Sequence, residues 1–414
     1  MDRTTGAQGS WSEVEDPDGV FLSADVFEEG EQYGSFSSVE VVEFLTTRDG
    51  RRLAVGSERV GQRRDGALWE GLDDGGWRRV TVPKAHPTGD SSTPRAATGA
   101  IGDRDEVVFR DLIEYRGRIL VFGVETTVGS GDPTATSTVK VWASDDLQVW
   151  EVTELPSPGS AAITVHGVVA ADGGLVVVGN RAPSDNEPAQ VVVWSSSDGA
   201  QWGVAVPSDF AAGSFVSDLT ATGDLVVAAG FTRQETEQAS VWVSRDFGGS
   251  WTAVPLPTAS ALPISSVAAI EACQDGIVAV GSSRAVGGYG WEDVSQTRRI
   301  FGEADLAVWL SADAVTWTAQ PTSVTPERLD TEATISCGRI GHLLTTSTIG
   351  PERAFTSSWL IRSGGSIDPV AALNGRTVTA STGVEDGFVV ATHPLPGTAG
   401  GHVSTQLWRL GLDP

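Results

Sequence analysis

The chain has 414 residues, of which 40% are hydrophobic, and it carries 49 Gly, 20 Pro and a formal net charge of −26. Because one hydrophobic core rarely grows beyond about 250–300 residues, the length excludes a simple single-core domain and favours several domains or a repeated unit. The acidity excludes nucleic acid and an anionic membrane surface as main partners, since both require basic patches.

The sequence contains no apolar run of about 18 residues, so we expect no membrane span. Residues 1–5 lack the apolar segment of a signal peptide. The protein is therefore either cytoplasmic or a mature form whose leader has been removed. Lys84 and Lys140 are the only lysines among 28 basic residues, and this arginine bias is typical of a high-GC genome such as that of an actinobacterium.

The first predicted strand covers residues 10–14, and from residue 39 onward a unit of four short strands recurs. Each unit contains a short apolar run bounded by a turn, such as Leu-Val-Val-Val at residues 175–178, whose β-branched valines favour a strand over a helix. The next strand ends in Trp, and in most units a second aromatic residue follows eight or nine positions later. The strand-ending residues are Trp69, Trp142, Trp194, Trp242, Trp309, Trp359 and Trp408.

These seven Trp residues recur about every fifty residues, with two longer intervals. Four short antiparallel strands per repeat are typical of a β-propeller blade. We therefore predict an all-β, seven-bladed β-propeller that spans residues 1–414 as a single domain. The predicted blades cover residues 39–82, 105–155, 161–207, 214–257, 264–321, 331–373 and 376–411.

The seventh repeat lacks its fourth strand in the sequence after Trp408. Residues 10–14 supply the missing piece, because Ser-Trp-Ser-Glu-Val is similar to Ser-Trp-Thr-Ala-Val at residues 250–254. Pairing this segment with the Trp408 strand completes the blade and removes an open sheet edge, which would otherwise invite aggregation. We therefore predict that the N-terminal strand closes the ring.

The turn after most of the strand-ending Trp residues carries a recurring Ser, Asp and Gly pattern, which is degenerate after Trp359 and cut short after Trp408. Residues 244–251, Ser-Arg-Asp-Phe-Gly-Gly-Ser-Trp, match the Asp-box Ser-x-Asp-x-Gly-x-x-Trp, and other copies are one residue shorter. On this motif the chain resembles the BNR/Asp-box, sialidase-like β-propellers over nearly its whole length. We predict a structural role for Asp146, Asp198, Asp246 and Asp313, whose carboxylates accept hydrogen bonds from N–H groups of the turn. The resemblance implies that this turn lies on the face opposite an active site.

The resemblance does not extend to the catalytic residues of sialidases. That family uses three Arg for the substrate carboxylate, a Tyr nucleophile with a Glu partner, and an Asp acid/base. Its Phe/Tyr-Arg-Ile-Pro motif is absent, and the nearest approach is Phe-Arg-Asp-Leu at residues 109–112. Tyr33, Tyr115 and Tyr289 are the only tyrosines, and no Tyr–Glu pair is identifiable. We therefore assign no catalytic residue and no cofactor.

The large insertions fall in connections between blades or between second and third strands, which share one face of a propeller. They cover residues 16–38, 83–104, 285–305 and, more briefly, 393–402. Because long loops are often functional, this face is predicted to hold the ligand. The candidate ligand-binding residues are Tyr289, Trp291, Glu292, Asp293 and Arg298 of the third insertion and His86 of the second.

Aromatic rings beside carboxylates in the third insertion suit a sugar ring and its hydroxyl groups. The competing interpretation is that Trp291 and Phe301 pack the loop onto the propeller. If the protein is a hydrolase, Glu292, Asp293 and Asp105 are its candidate carboxylates. Glycoside hydrolysis needs two carboxyls about 5–10 Å apart across a cleft, which adjacent residues do not specify.

Metal ligands are not indicated by the sequence. The acidic segment 16–19 lacks the series of oxygen ligands of a calcium loop and is interpreted as a turn. His86, His393 and His402 are scattered over predicted loops, without the spacing of a zinc site. His166 and His342 fall within strands and are interpreted as packing residues.

Cys273 and Cys337 occupy corresponding positions at the ends of the innermost strands of consecutive blades. Because innermost strands converge at the axis, a Cα separation of roughly 5–6 Å is expected, which suits a disulfide. We predict that bond between blades five and six, and hence an exported protein that is extracellular or at the cell surface. Two buried free thiols in a cytoplasmic protein are the alternative.

Together these features favour a non-enzymatic binding or scaffold propeller that recognises a protein or a carbohydrate through the insertion-bearing face. The alternative is a glycan-acting hydrolase of the sialidase-like propeller type, with carboxylates from different blades. The ligand and the oligomeric state are not set by the sequence.

Overall fold

A computed structural model describes most of the chain. It covers residues 9–14, 37–60, 63–72, 76–83, 104–128, 135–159, 161–182, 188–233, 236–284, 304–320, 322, 332–339, 341–349, 354–362, 366–370, 376–384, 387–394 and 405–412. Every regular element in these residues is a β-strand. Within these ranges no helix is long and apolar enough to span a membrane.

The described strands form seven antiparallel sheets of four strands each, which are the blades. An N-terminal strand and blades one to three comprise β1 (Gly9–Glu13), β2 (Ser37–Thr46), β3 (Arg52–Val60), β4 (Arg63–Gly71), β5 (Trp77–Val80), β6 (Arg104–Tyr115), β7 (Arg118–Val128), β8 (Ala135–Ser144), β9 (Glu151–Glu154), β10 (Ala162–Ala171), β11 (Gly174–Ala182), β12 (Gln190–Ser196) and β13 (Gly203–Ala205). Blades four to seven comprise β14 (Ser214–Thr222), β15 (Leu225–Arg233), β16 (Glu237–Ser244), β17 (Thr252–Pro255), β18 (Ile264–Cys273), β19 (Gly276–Arg284), β20 (Ala304–Ser311), β21 (Trp317–Gln320), β22 (Glu332–Gly338), β23 (Gly341–Ile349), β24 (Ala354–Ile361), β25 (Ile367–Val370), β26 (Arg376–Val384), β27 (Gly387–Pro394) and β28 (Gln406–Leu412). The predicted all-β, seven-bladed propeller is confirmed.

The N-terminal strand β1 completes the seventh blade, whose strand order is β1-β28-β27-β26. β1 pairs antiparallel with β28, so that Trp11 lies opposite Leu410 and Glu13 opposite Trp408. The Val14 N–H extends the pairing by donating to the Leu407 carbonyl at 2.8 Å. The predicted closure of the ring by the N-terminal strand is therefore confirmed.

Two faces of the ring differ in the connections they carry. The first strand of each blade contacts the first strands of its neighbours, so β2, β6, β10, β14, β18, β22 and β26 surround the axis. Because the four strands of a blade alternate in direction, inter-blade connections and second-to-third-strand connections leave from one face. We call this the loop face, and the turns that precede fourth strands lie on the opposite face.

The strand-ending Trp side chains form the core between blades. Trp69, Trp142, Trp194, Trp242 and Trp309 are at most 1% exposed. Three of these indoles also donate an N–H to the carbonyl of a proline in the linker that leaves the preceding blade, at 2.8–3.1 Å: Trp142 to Pro83, Trp194 to Pro156 and Trp309 to Pro257. Each of these Trp residues therefore fixes the path of the chain between two blades, as a buried indole N–H requires a partner.

The turns before the fourth strands are held by Ser and Asp side chains. In blade two the Ser144 hydroxyl accepts the Leu147 N–H at 2.8 Å, and Asp146 accepts the N–H groups of Gln148 and Val149 at 2.8 and 2.9 Å. Asp198, Asp246 and Asp313 make equivalent bonds in later blades. Hydrogen bonds lower the pKa of each carboxyl; the largest cause is a backbone N–H at Asp146, Asp198 and Asp313 and the Ser250 hydroxyl at Asp246. They also support a non-glycine residue at positive φ, since Leu147 has φ of 62°.

Candidate ligand site in the central channel

A cavity of about 600 Å³ lies on the propeller axis and is lined by residues of all seven innermost strands. This volume lies within the range of ligand pockets, which is about 300–1,000 Å³. The side chains that the innermost strands direct toward the axis therefore form the wall of this cavity.

Six innermost strands carry one extra residue relative to their partner strands, which is the geometry of a β-bulge. A bulge changes the direction in which a side chain points, and all six extra residues line the cavity. In each of these six strands the extra residue is also the first residue, in chain order, that lines the cavity. We call these residues the bulge ring: Val42, Arg110, His166, Ser217, Ala268 and Thr379. Because innermost strands start at the loop face, the bulge ring marks the end of the cavity nearest that face.

Arg110 and His166 are neighbouring members of the bulge ring on blades two and three. The Arg110 Nε and the His166 Nε2 are buried, and neither has a hydrogen-bond partner among the residues that the structure describes. Burial lowers the pKa of His166 to about 4, and the nearby Arg110 charge lowers it further. His166 is therefore neutral at neutral pH, while Arg110 keeps its charge. Arg110 and His166 thus bring two nitrogen atoms without hydrogen-bond partners among the described residues to the lining of the cavity near the loop face.

An aromatic surface adjoins His166 on blade four. The His166 ring meets the Phe215 ring edge-on at 5.2 Å, and Phe215 stacks on Phe231 at 5.2 Å with 11° between the ring planes. Phe215 and Phe231 lie opposite each other in the β14–β15 ladder and are half-buried. The Arg233 guanidinium lies over Phe231 at 5.6 Å. Aromatic faces and a second guanidinium therefore extend from the bulge ring toward the loop face.

Deeper in the channel, four carboxyl side chains from blades one, two, four and five line the wall: Glu43, Asp111, Asp218 and Glu271. Burial is the largest cause that raises their pKa values, to about 7 for Asp111 and Asp218 and to about 8 for Glu271. Repulsion among these carboxyls raises the pKa of Glu271 further, with Asp218 and then Asp111 as its sources. At neutral pH these four carboxyls therefore retain bound protons.

Two of these carboxyls join neighbouring blades. Asp111 accepts the N–H of Leu112 in its own strand at 2.6 Å and the N–H of Val168 in blade three at 2.7 Å. Asp218 accepts the N–H groups of Leu219 and of Ile270 in blade five, both at 2.8 Å. The backbone next to a bulge lacks regular ladder bonds, so these carboxyls satisfy donors that the ladder leaves open.

Blades five to seven give the channel a different lining. The Ser336 hydroxyl donates to Ser381, and Ser381 donates to Thr334 at 2.9 Å, which links the innermost strands of blades six and seven. The predicted disulfide between Cys273 and Cys337 is present, with a Cα separation of 5.5 Å, and it joins blades five and six. Cys337 lines the cavity at the end opposite the bulge ring.

The ligand-binding residues proposed from the sequence lie outside the described residues. They are Tyr289, Trp291, Glu292, Asp293, Arg298 and His86. His402 is also outside them, and Asp105 lies in β6. The strand ends that flank the third insertion, Arg284 and Ala304, pair with each other at the loop face of blade five.

Two histidines differ from their interpretation in the sequence. His393, expected in a loop, lies in β27, where its Nε2 is 3.0 Å from the Thr405 hydroxyl. His166, interpreted as a packing residue, belongs to the bulge ring. Sequence reasoning missed Arg110 and His166 as site residues because a bulge, which has no clear sequence signal, directs both toward the axis. Arg110 does fall in the segment 109–112 noted above as the nearest approach to the sialidase Arg motif.

No protein-family model matches the chain. No curated protein matches it. Among solved structures, an ulvan lyase of polysaccharide lyase family PL25 is similar with a TM-score of 0.50 and 12% identity, over 91% of this chain and 95% of the lyase. The phage phi92 endosialidase has a TM-score of 0.47 and 10% identity, over 98% and 70% of the two chains. The intramolecular trans-sialidase of Ruminococcus gnavus has a TM-score of 0.42 and 13% identity, over 94% and 97%. The likeness to the ulvan lyase shows a shared fold.

Proposed function

We propose that this protein is an extracytoplasmic binding propeller that holds an acidic glycan at the loop-face end of its central channel. The observation that carries the proposal is the pair of buried, unpartnered nitrogen atoms on Arg110 and His166 in the bulge ring. A guanidinium binds a carboxylate or a sulfate through charge-assisted hydrogen bonds, and a buried donor without a partner favours such a ligand.

The aromatic surface beside His166 supports a sugar over other anions. The half-buried, stacked rings of Phe215 and Phe231 give the bulge ring an apolar neighbour that suits the C–H groups of a pyranose, while Ser217 and Thr379 add hydroxyls at the level of the bulge ring. The solved neighbours include proteins named as sialidases and as an ulvan lyase. Because a fold hosts many functions, those names add only an analogy.

The shape of the cavity supports a glycan over a protein surface as the ligand. A recess of about 600 Å³ at the axis accepts one or a few sugar rings, whereas protein partners bind across broad, flat areas. In this proposal Trp291, Tyr289 and the charged residues of the third insertion complete the site from the loop face. The disulfide is consistent with an oxidising compartment, which suits an extracellular glycan.

The test is a screen of acidic and neutral oligosaccharides with the full chain, followed by titration of the best ligand. Arg110→Gln is expected to weaken binding of an acidic glycan about tenfold or more, which is ~1.4 kcal/mol. Arg245→Gln is the matched control, because Arg245 is exposed on the face opposite the loop face. Equal binding by wild type and Arg110→Gln, or a preference for neutral glycans, would refute the proposal.

A glycan-acting enzyme is the second candidate, favoured by the carboxyls in the channel. Asp111, next to Arg110, and Asp218 have pKa values of about 7, where a carboxyl can exchange protons at physiological pH. Each already accepts two backbone N–H groups, which favours the structural role. Release of new sugar ends by the wild type, lost in Glu271→Gln or Asp111→Asn without loss of binding, would replace the binding function with an enzymatic one.

A further inference from the structure

A cluster of side chains of the types that ligate metals lies at the far end of the channel, away from the bulge ring. Cys273, Cys337 and His342 bring their ligand atoms within 4.8 Å of one another. Cys273 is the last residue of β18, and Cys337 of β22 lies directly opposite His342 of β23. Directly opposed residues on adjacent strands place their side chains on the same face of the sheet. The backbone of two blades therefore holds this cluster together.

His342 is unsatisfied in the disulfide form. Its side chain is 6% exposed, and its buried Nδ1 has no hydrogen-bond partner within the described part of the chain. The neighbouring sulfur atoms are weak acceptors at best. A buried polar group without a partner calls for an explanation, and a role as a metal ligand once the disulfide is reduced supplies one.

We propose that Cys273, Cys337 and His342 form a redox-controlled zinc site, closed as a disulfide under oxidising conditions and open to Zn²⁺ under reducing ones. Two thiolates and one imidazole are a recognised ligand set for zinc, with a fourth position left for water. Around a tetrahedral zinc ion such ligand atoms lie about 3.5–4 Å apart, so only small movements are needed once the sulfur–sulfur bond is broken.

The chemistry balances with a dithiol or a trialkylphosphine as the reductant. With a phosphine and one water, the disulfide gives two thiols and one phosphine oxide, and binding of Zn²⁺ then releases the two thiol protons. Both cysteine side chains are half-buried, and Cys337 lines the cavity, so the channel gives reductant and ion a route. The charge of Asp275, which acts on His342, favours a cation at the same place. Blades five and six are thus joined in either redox state.

The test uses the full chain, reduced with a trialkylphosphine under anaerobic conditions, and zinc titrated against a chromophoric chelator. We expect one zinc per reduced chain, none in the oxidised chain, and at least tenfold weaker binding for His342→Ala. His393→Gln is the matched control, because His393 is a half-buried histidine in another blade, and this variant should bind zinc as the wild type does. Replacement of zinc by cobalt should give a thiolate-to-cobalt charge-transfer absorption that is absent from Cys273→Ser/Cys337→Ser.

Three results would overturn the proposal. The first is reduced wild type that binds no more zinc than Cys273→Ser/Cys337→Ser. The second is His342→Ala that binds zinc as tightly as the wild type. The third is loss of the β-sheet circular dichroism on reduction that zinc does not restore, because a site that exists only in an unfolded chain is not the one described.

Discussion

At the scale of single residues, the chemistry of this protein depends on where a side chain points rather than on its type. Arg110 and His166 face the channel because each is the extra residue of a bulge. In a regular strand the residues before and after them would alternate between the two faces of the blade. The carboxyls that follow the bulges at Asp111 and Asp218 then accept backbone N–H groups near the same bulges. In blades two and four the same bulge therefore places both a bulge-ring residue and the carboxyl that follows it in the channel.

The four carboxyls that line the channel make the free energy of unfolding depend on pH. Glu43, Asp111, Asp218 and Glu271 have raised pKa values, so the folded chain binds more protons than the unfolded chain does, and its stability falls as pH rises. Below about pH 6.5 the lowered pKa values of His166 and His393 act in the opposite direction, because the unfolded chain binds more protons there. The carboxyls therefore act alone between about pH 7 and 8.5.

We predict that the thermal midpoint falls between pH 7 and 8.5, and that Glu271→Gln reduces the fall because it removes a carboxyl whose pKa is about 8. Glu154→Gln is the matched control, because Glu154 is exposed on the outer strand of blade two and should leave the slope unchanged. Thermal unfolding followed by circular dichroism across this range measures both. A midpoint that rises over the window, or equal slopes in both variants, would contradict the raised pKa values.

At the scale of strands, neighbouring blades are joined by a different contact at nearly every interface. The Asp111 carboxylate joins blades two and three, and the Asp218 carboxylate joins blades four and five. The Asn180 side chain joins blade three to Val216 of blade four. A disulfide joins blades five and six, and a pair of serines joins blades six and seven. The repeat seen in the sequence fixes the strands and the Trp core. It does not fix these contacts, because each uses a residue that occurs in only some blades.

Two substitutions at Asp218 distinguish its role as a hydrogen-bond acceptor from the effect of its charge. Asp218→Ala leaves the N–H groups of Leu219 and Ile270 without their acceptor. Each buried donor left without an acceptor lowers the free energy of unfolding by about 1–3 kcal/mol. Asp218→Asn keeps one acceptor oxygen and removes a carboxyl that burial disfavours as an anion. We expect Ala to lower the free energy of unfolding at pH 8 by more than 2 kcal/mol and Asn to lower it by about half as much or less. Chemical denaturation at pH 8 decides, and equal losses for the two variants would contradict the structural role.

At the scale of the whole molecule, the sequence predicted the ring and missed the site. Strand-ending Trp residues recur because each blade buries one, so their count gave the number of blades, and Trp11 beside the seventh blade gave the closure. The cysteines could be paired because equivalent positions in adjacent blades lie close at the axis. The bulge ring could not be predicted, because bulges depend on the register between two strands. The residues chosen from the long insertions remain predictions.

The central claim is that Arg110 holds an acidic group of a glycan at the bulge ring. Isothermal titration of wild type and Arg110→Gln with an acidic oligosaccharide and with its carboxyl-reduced, neutral counterpart tests it as a double-change cycle. We expect that neutralising the ligand weakens binding to the wild type about tenfold or more, which is ~1.4 kcal/mol, and has little effect on binding to Arg110→Gln. Equal losses in the wild type and the variant would show that the acidic group is held elsewhere, and would contradict the site proposed here.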